Sequence, residues 1–301
     1  MPNLLAQYPP AAAAHPPPQR LFIYYLDGRV PETMFSGDPR FLGNWEEDGH
    51  SFLFFSKPAL ELVCQRLERF SGVHLEQHFD VGYEEWLGGR LEALSIGRLT
   101  VLPAWEEASG EAGGPTVRFD PGVVFGSGIH PTTRFCLYAL ERALSMARID
   151  LVADLGSGTG LLSLAAAALG ARRVVAVDVN PLAARTTRGN ILRNGLQDRA
   201  LAVEGRAEDF AALPAELVVA NLHFDIHRRL AESDAFWNRE WLIISGVLRK
   251  QAASLQEAFS QRSAEVVAAW GWPEGWPTFL LRRSGWRRNA SPETMDRGSA
   301  S

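Results

Sequence analysis

Between residues 151 and 169 the chain runs from a mainly apolar strand through three closely spaced glycines into an alanine–leucine helix. The strand is Leu151 to Leu155, the loop is Asp154-Leu155-Gly156-Ser157-Gly158-Thr159-Gly160, and the helix is Leu161 to Leu169. A strand without polar alternation has to be covered on both faces, which is the condition of a parallel sheet layered with helices. The rhythm continues downstream. Arg173 to Val177 reads as a strand, and Pro181 to Asn194 as a helix closed by Gly195. Leu217 to Ala220 and Trp241 to Ser245 are further apolar strands, each followed by a helical pattern. This predicts an α/β fold with a parallel sheet. Val266 to Ala269 and Thr278 to Leu281 have no helix between them and predict a closing antiparallel hairpin.

The front of the chain has a different texture. Arg20 to Leu26 is an aromatic and branched strand, and Asp27-Gly28 marks a turn. Ser51 to Ser56 is a second strand. Pro58 opens a helix carried by Leu60, Val63, Cys64 and Leu67 up to Phe70, and Val73 to Val81 is a third strand. Together they predict a small α+β domain. Gly97 to Leu102 is one more strand, ended by Pro103. The small, polar stretch from Glu106 to Pro115 has nothing to bury, so the boundary is expected there. The expected division is a Pro/Ala tail over 1–20, a small domain over 21–105, a linker over 106–115, a larger domain over 116–285 and a tail over 286–301.

Charge separates the two parts as well. Residues 21–115 hold sixteen acidic residues against seven basic ones, a net of −9 in a chain whose total is −5. An acidic front repels phosphate backbones and attracts basic partners. Two cysteines, Cys64 and Cys136, exclude a disulfide scaffold and a cysteine-built metal site. The longest apolar run is too short for the ~20 residues of a spanning helix, and Pro9, Pro10, Pro16, Pro17 and Pro18 break any apolar helix in the first twenty residues. No secretory leader or membrane contact is expected, and the expected location is the cytoplasm.

The glycine loop is spaced Gly-x-Gly-x-Gly, and Leu161 stands where a dinucleotide fingerprint requires its last glycine. Asp154, just before the loop, suits a ligand that carries an ammonium group, such as S-adenosylmethionine. Asp178 closes the next strand, where a carboxylate accepts both hydroxyls of a ribose. Alternatively, the loop is only a tight turn and Asp178 caps the helix that begins at Pro181.

The stretch Asp120-Pro121-Gly122-Val123-Val124-Phe125-Gly126-Ser127-Gly128-Ile129-His130-Pro131-Thr132-Thr133 resembles the pre-cofactor loop of the ribosomal protein L11 methyltransferases, the PrmA family. The chain departs from that loop at Ser127, where the family has Thr. The resemblance continues through the glycine loop, Asp178, Asn180-Pro181, Asn190, Asn194-Gly195, Ala220-Asn221-Leu222 and Ser245-Gly246-Val247-Leu248. Upstream it takes in Trp86, Ile96-Gly97-Arg98-Leu99, Pro103 and Trp105. It implies a Rossmann-like, seven-stranded class I methyltransferase domain with one antiparallel strand, preceded by a small substrate-recognition domain. The implied cofactor is S-adenosyl-L-methionine, held by Thr133, Asp154, Gly156, Gly158, Gly160, Asp178, Asn180 and Asn221. The implied reaction is N-methylation of lysine or α-amino groups, most directly of ribosomal protein L11, with another protein or a small molecule as the alternative acceptor on the same fold. The partner expected is therefore a basic ribosomal protein, met by a monomer without direct contact to nucleic acid.

Methyl transfer from a sulfonium needs no covalent nucleophile, so positioning supplies most of the rate. Asn221, Phe125 and His223 are the candidates for orienting the amine. His223 and Phe224 are bulky departures from the family's Ala-Asn-Ile-Leu and are expected to reshape the acceptor channel. The sequence Asn-Pro-Pro-Tyr is absent, which disfavours planar amide and adenine acceptors. His223, Asp225 and His227 lack an evident further ligand, and no metal is expected. The arginines at 282, 283, 287 and 288 read as a solvated strand end and a basic tail.

Overall fold

The computed structural model describes residues 16–107, 113–271 and 275–286. The expected tail over 1–15, the middle of the expected linker and the chain from 287 onward lie outside the described residues.

The front sheet comprises β1 (Arg20–Asp27), β2 (Phe41–Glu47), β3 (His50–Phe55) and, after helix α1 (Leu60–Leu67), β4 (His74–Gly82). Helix α2 (Tyr83–Leu87) follows. The strand order is β2-β3-β1-β4, with every pairing antiparallel. Side chains alternate between its faces. Tyr24, Leu26, Leu53 and Phe55 pack with Val63 and Leu67 of α1. Leu21, Ile23 and Phe54 point the other way and pack on Val123, Val124, Leu182 and Ala183 of the larger part. Strand β2 was not anticipated, because Gly43, Asn44 and two acids interrupt its apolar pattern. Gly43 is required there by its neighbour: a Cβ would lie 2.7 Å from the Leu182 side chain.

A hairpin of β5 (Leu94–Ile96) and β6 (Leu99–Pro103) comes next, and β6 pairs in parallel with β7 (Thr116–Phe119). Ile96, Leu99 and Val101 are buried with Cys136, Leu140 and Leu164 in the larger core. The structure thus differs from the expected division at 105. The stretch from 94 to 103 packs with the larger part, because pairing with β7 across the polar stretch buries its apolar side chains there.

The larger part continues with α3 (Pro131–Met146), β8 (Leu151–Leu155), α4 (Leu161–Leu169), β9 (Arg173–Asp178), α5 (Pro181–Arg193), β10 (Ala200–Glu204) and β11 (Leu217–Asn221). It ends with α6 (Phe224–Ala231), α7 (Asp234–Trp237), β12 (Trp241–Ser245), α8 (Arg249–Gln261), β13 (Ala264–Trp270) and β14 (Thr278–Arg283). Seven strands are ordered β10-β9-β8-β11-β12-β14-β13, and β14 alone runs against the others. Helices α3 and α4 cover one face, and α6, α7 and α8 the other. Helix α4 is apolar all round because it lies between the sheet, α3 and the β5–β7 strands. From β8 the chain steps outward to β9 and β10, then returns to β11 on the other side. That reversal opens a crevice beyond the carboxyl ends of β8 and β11.

Candidate functional site

Four segments meet at that crevice: the loop 120–130, the glycine loop, the end of β9 and the end of β11. Helix α5 ties two of them together. Asn190 accepts the Asp120 amide at 2.9 Å and donates to the carbonyls of Asp120 and Thr159 at 2.8 and 2.9 Å. One turn on, Asn194 accepts the Arg118 amide at 2.8 Å and donates to the Arg118 carbonyl at 2.6 Å. Residues spaced i and i+4 share a helix face, so both side chains reach the same strand end. Thr159 completes the strap: its amide donates to the Phe125 carbonyl at 3.1 Å, and its hydroxyl to the Gly126 carbonyl at 2.8 Å.

This strap gives the glycines a structural reason. A Cβ on Gly158, at φ +54°, would lie 2.5 Å from the Phe125 carbonyl oxygen. A Cβ on Gly156 would lie 2.2 Å from the Leu222 side chain, and one on Gly160 would lie 2.8 Å from Thr187. The chain's own segments occupy those places. Both the positive φ and the close approach require glycine.

Two carboxylates face the loop. Asp178 is 8 % exposed and accepts the amides of Gly158 at 2.8 Å and Asn180 at 2.9 Å. Burial pushes its carboxyl above the ordinary range, against those two hydrogen bonds. Asp154 is buried, and its Oδ2 accepts the Ser163 hydroxyl at 2.6 Å while its Oδ1 has no partner. Burial raises it to about 7, and the Asp178 charge adds to the rise. Neither acid forms a salt bridge among the described residues. A carboxylate accepts at about four lone-pair sites, so both keep capacity for a ligand's donors. Val179, beside Asp178, is 66 % exposed and offers an apolar surface.

The expected contacts do not all fall alike. Asn180 is the N-cap of α5: its Oδ1 accepts the Leu182 amide at 3.0 Å, and its Nδ2 donates to the Glu46 carbonyl of the front sheet at 3.1 Å. Both polar atoms are engaged, so Asn180 brackets the Asp178 corner against the front sheet. Asn180, and not Asp178, caps the helix. Thr133 is buried with its hydroxyl unpartnered. Thr132 makes the connection that sequence reasoning missed. Asn221 Nδ2 donates to its hydroxyl at 3.4 Å, and that hydroxyl lies 2.8 Å from His130 Nδ1. His130 is the N-cap of α3, and its Nδ1 also accepts the Thr132 amide at 3.3 Å. An accepting Nδ1 places the proton of a neutral imidazole on Nε2. Burial supports this by lowering the His130 pKa. The relay turns the Asn221 carbonyl oxygen away from Thr132, and that oxygen takes no hydrogen bond from the described residues.

Phe125 and His223 reach a common cavity of about 610 Å³, lined as well by Trp45, Phe52, Phe54 and Trp86. Phe224 turns instead to the core beneath α6, so the bulk expected in the channel comes from His223 alone. His227 is buried and donates through Nε2 to the Ser245 carbonyl at 2.8 Å. Burial lowers its pKa to about 4. Arg282 stacks on Trp241 with 5.1 Å to the ring centroid, and Arg283 bonds Asn238 at 2.9 Å; both are engaged along their own strand edge.

The family model described as "Ribosomal protein L11 methyltransferase (PrmA)" matches residues 61–284. The chain belongs to the PrmA family. A ribosomal protein L11 methyltransferase of Geobacter sp. (strain M21) is 39 % identical over 61 % of this chain and 62 % of its own length. That of Alteromonas mediterranea is 32 % identical over 79 % of this chain and 83 % of its own. The solved ribosomal protein L11 methylase of Lactobacillus delbrueckii subsp. bulgaricus superposes with a TM-score of 0.55 at 26 % identity, covering 64 % of this chain and 98 % of that one. The seven-stranded sheet of this PrmA chain is the Rossmann-like sheet that the motif implied. No helix among its described residues is long and apolar enough to cross a membrane.

Proposed function

We propose that this PrmA-family chain transfers methyl groups from S-adenosylmethionine to lysine or α-amino groups of ribosomal protein L11. The observation that carries the reading is the pair of buried acids at the ends of β8 and β9. Asp154 and Asp178 have no salt-bridge partner among the described residues, and an ammonium and a ribose at this corner would supply charge and donors. When bound, the cofactor supplies an electrophilic methyl on sulfur, which passes to a neutral amine; sulfur keeps the electron pair of the broken bond, and the nitrogen becomes cationic. The residues arrange the rest. Asp178 accepts hydroxyl donors while the amides of Gly158 and Asn180 hold its carboxylate in place. Asp154, buried at the end of β8, would favour the ammonium through its charge.

Free lysine has a pKa of about 10.4, so the acceptor amine must shed its proton on entering the site. The aromatic wall around Phe125 offers few acceptors for the three N–H donors of a bare ammonium, which favours the neutral amine. The Asn221 carbonyl oxygen, aimed by Thr132 and His130, accepts an N–H and directs the lone pair toward the methyl group. The acidic front sheet, with the exposed Glu76 on β4, captures the basic protein in the cytoplasm. The enzyme acts as a monomer and does not bind nucleic acid directly. The natural division lies between α2 and β5, since a cut at 105 would strip Ile96, Leu99 and Val101 from the larger core.

The test is incubation of the purified chain with labelled S-adenosylmethionine and ribosomal subunits or free L11, followed by mass spectrometry of the modified peptides. Label on L11 amines is the expected result. Label confined to another protein would redirect the substrate, and no transfer at all would overturn the reading. Calorimetry on Asp178→Ala should show cofactor binding weaker by about 1.5–3 kcal/mol, the worth of charge-assisted hydrogen bonds. Unchanged affinity would remove Asp178 from the site.

A further inference from the structure

The wall of the cavity is chemically one-sided. Trp45, Phe52 and Phe54 come from the front sheet, Trp86 from α2, and Phe125 and His130 from the larger part. Glu47 is its single carboxylate, and the lining contains no lysine or arginine. Trp86 and Phe125 remain 42 % and 61 % exposed, so two large aromatic surfaces meet there without covering protein.

The wall is also fixed. The Trp86 indole donates to the Val123 carbonyl at 3.1 Å, and its ring meets Phe54 edge-on at 5.1 Å between centroids. The Trp45 indole donates to a Glu47 carboxylate oxygen at 3.3 Å, which orients the acid. Phe125 packs on His130 at 5.8 Å, and His130 on the edge of Trp276 at 5.4 Å. Aromatic faces carry negative potential and attract cations. A methylated ammonium suits such a wall better than a bare one. It needs fewer hydrogen-bond acceptors as N–H bonds are replaced, and its methyl groups gain from burial against rings. The volume falls within the range of about 300–1,000 Å³ usual for ligand pockets.

Resting on the methyl-transfer reading above, we propose that this cavity is a retention site for the methylated ammonium group of the protein substrate. It holds a partly methylated amine beside Phe125 between successive transfers. The front sheet then contributes more than a docking surface, because its aromatic residues favour completion of methylation over release of intermediates.

The binding site is tested on the full chain without cofactor, with tetramethylammonium as the probe and tert-butanol as its uncharged counterpart. Proton NMR of the probe should show methyl resonances shifted upfield by the rings and saturating with concentration. Tert-butanol should bind about ten-fold more weakly. Glu47→Gln, an exposed change that leaves the fold intact, should weaken tetramethylammonium binding about five-fold. Trp86→Leu, checked for folding by circular dichroism, should abolish the shift. Equal binding of both probes, or wild-type binding by both variants, overturns the proposal.

Retention itself is read in the methylation assay as the ratio of trimethylated to monomethylated product at limiting turnover. That ratio should fall about five-fold in Glu47→Gln, and an unchanged ratio overturns the retention role. If the wild-type chain transfers no methyl group, the functional reading fails while the probe titration still decides the binding site.

Discussion

Strand β12 reads Trp-Leu-Ile-Ile-Ser and every residue in it is buried, whereas β4 reads His-Leu-Glu-Gln-His-Phe-Asp-Val-Gly and none is fully buried. The first lies inside a parallel sheet sealed by helices on both faces. The second is the edge of a four-stranded antiparallel sheet, and its charged and histidine side chains keep the edge in water. The difference extends to function. The larger sheet builds its site at strand ends, from backbone amides and two carboxylates. The smaller sheet contributes through one face, and that face is shaped by what it packs against.

The largest effect tests whether the two parts fold separately. Phe55→Ala removes a ring with no solvent exposure from the small core and should cost about 3–5 kcal/mol in urea unfolding. Cofactor affinity should persist in that variant. A parallel loss of affinity would mean that the two parts unfold as one.

Next comes the buried acid of the larger part. Asp154 has a folded pKa of about 7 against an ordinary value of 3.8. The native state therefore binds the proton more tightly, and ionising Asp154 costs stability. That cost is absent below 3.8, grows as the pH rises, and is complete above 7. Asp154→Asn should accordingly stabilise the cofactor-free protein at pH 8, on the order of 3 kcal/mol, with the gain vanishing toward pH 4. Urea titrations at both pH values check the sign, and a gain at low pH only would contradict it. His227 works in the opposite direction: with a folded pKa of about 4 its contribution is lost as the pH falls from 6.5 toward 4, so the comparison is made between variant and parent at each pH.

A smaller effect belongs to the strap. Gly158→Ala should cost about 2–3 kcal/mol, from positive φ and collision with the Phe125 carbonyl. It should also weaken cofactor binding in the same titration. The smallest belongs to the seam between the parts. The Tyr83 hydroxyl donates to the Gly122 carbonyl at 2.7 Å, and burial raises its pKa. Tyr83→Phe should cost about 1 kcal/mol. Hydrogen exchange should show faster opening of α2 with the core of the larger sheet unchanged.

Legibility in the sequence followed the same divide. Leu151 to Leu155, Leu161 to Leu169 and Trp241 to Ser245 were read with their observed bounds, because short, mainly apolar runs between polar or glycine residues admit one placement. Strand β2 was lost at Gly43, which is there to clear Leu182, far along the chain. The short strand β7 and the whole of helix α3 were not anticipated either. The division at 105 failed because composition marks where a chain is polar and not which distant strand its neighbours will pair with. At the site, Asp154, Asp178, Asn221 and the glycines were legible as a pattern. The contact of Asn221 with Thr132 was not, because the register of α3 against β11 decides which hydroxyl meets Asn221.

The sequence by itself determined a parallel sheet layered with helices, its glycine loop and, through the motif at 120–133, the resemblance that implied seven strands, since each rests on local periodicity or on residues close together in the chain. Only the tertiary structure decided what the glycines make room for, that Asn180 braces the front sheet, and that Trp45 and Trp86 share a wall with Phe125. Those outcomes depend on contacts between segments remote in sequence. Burial of one apolar face against another selects such contacts, and no local pattern encodes them.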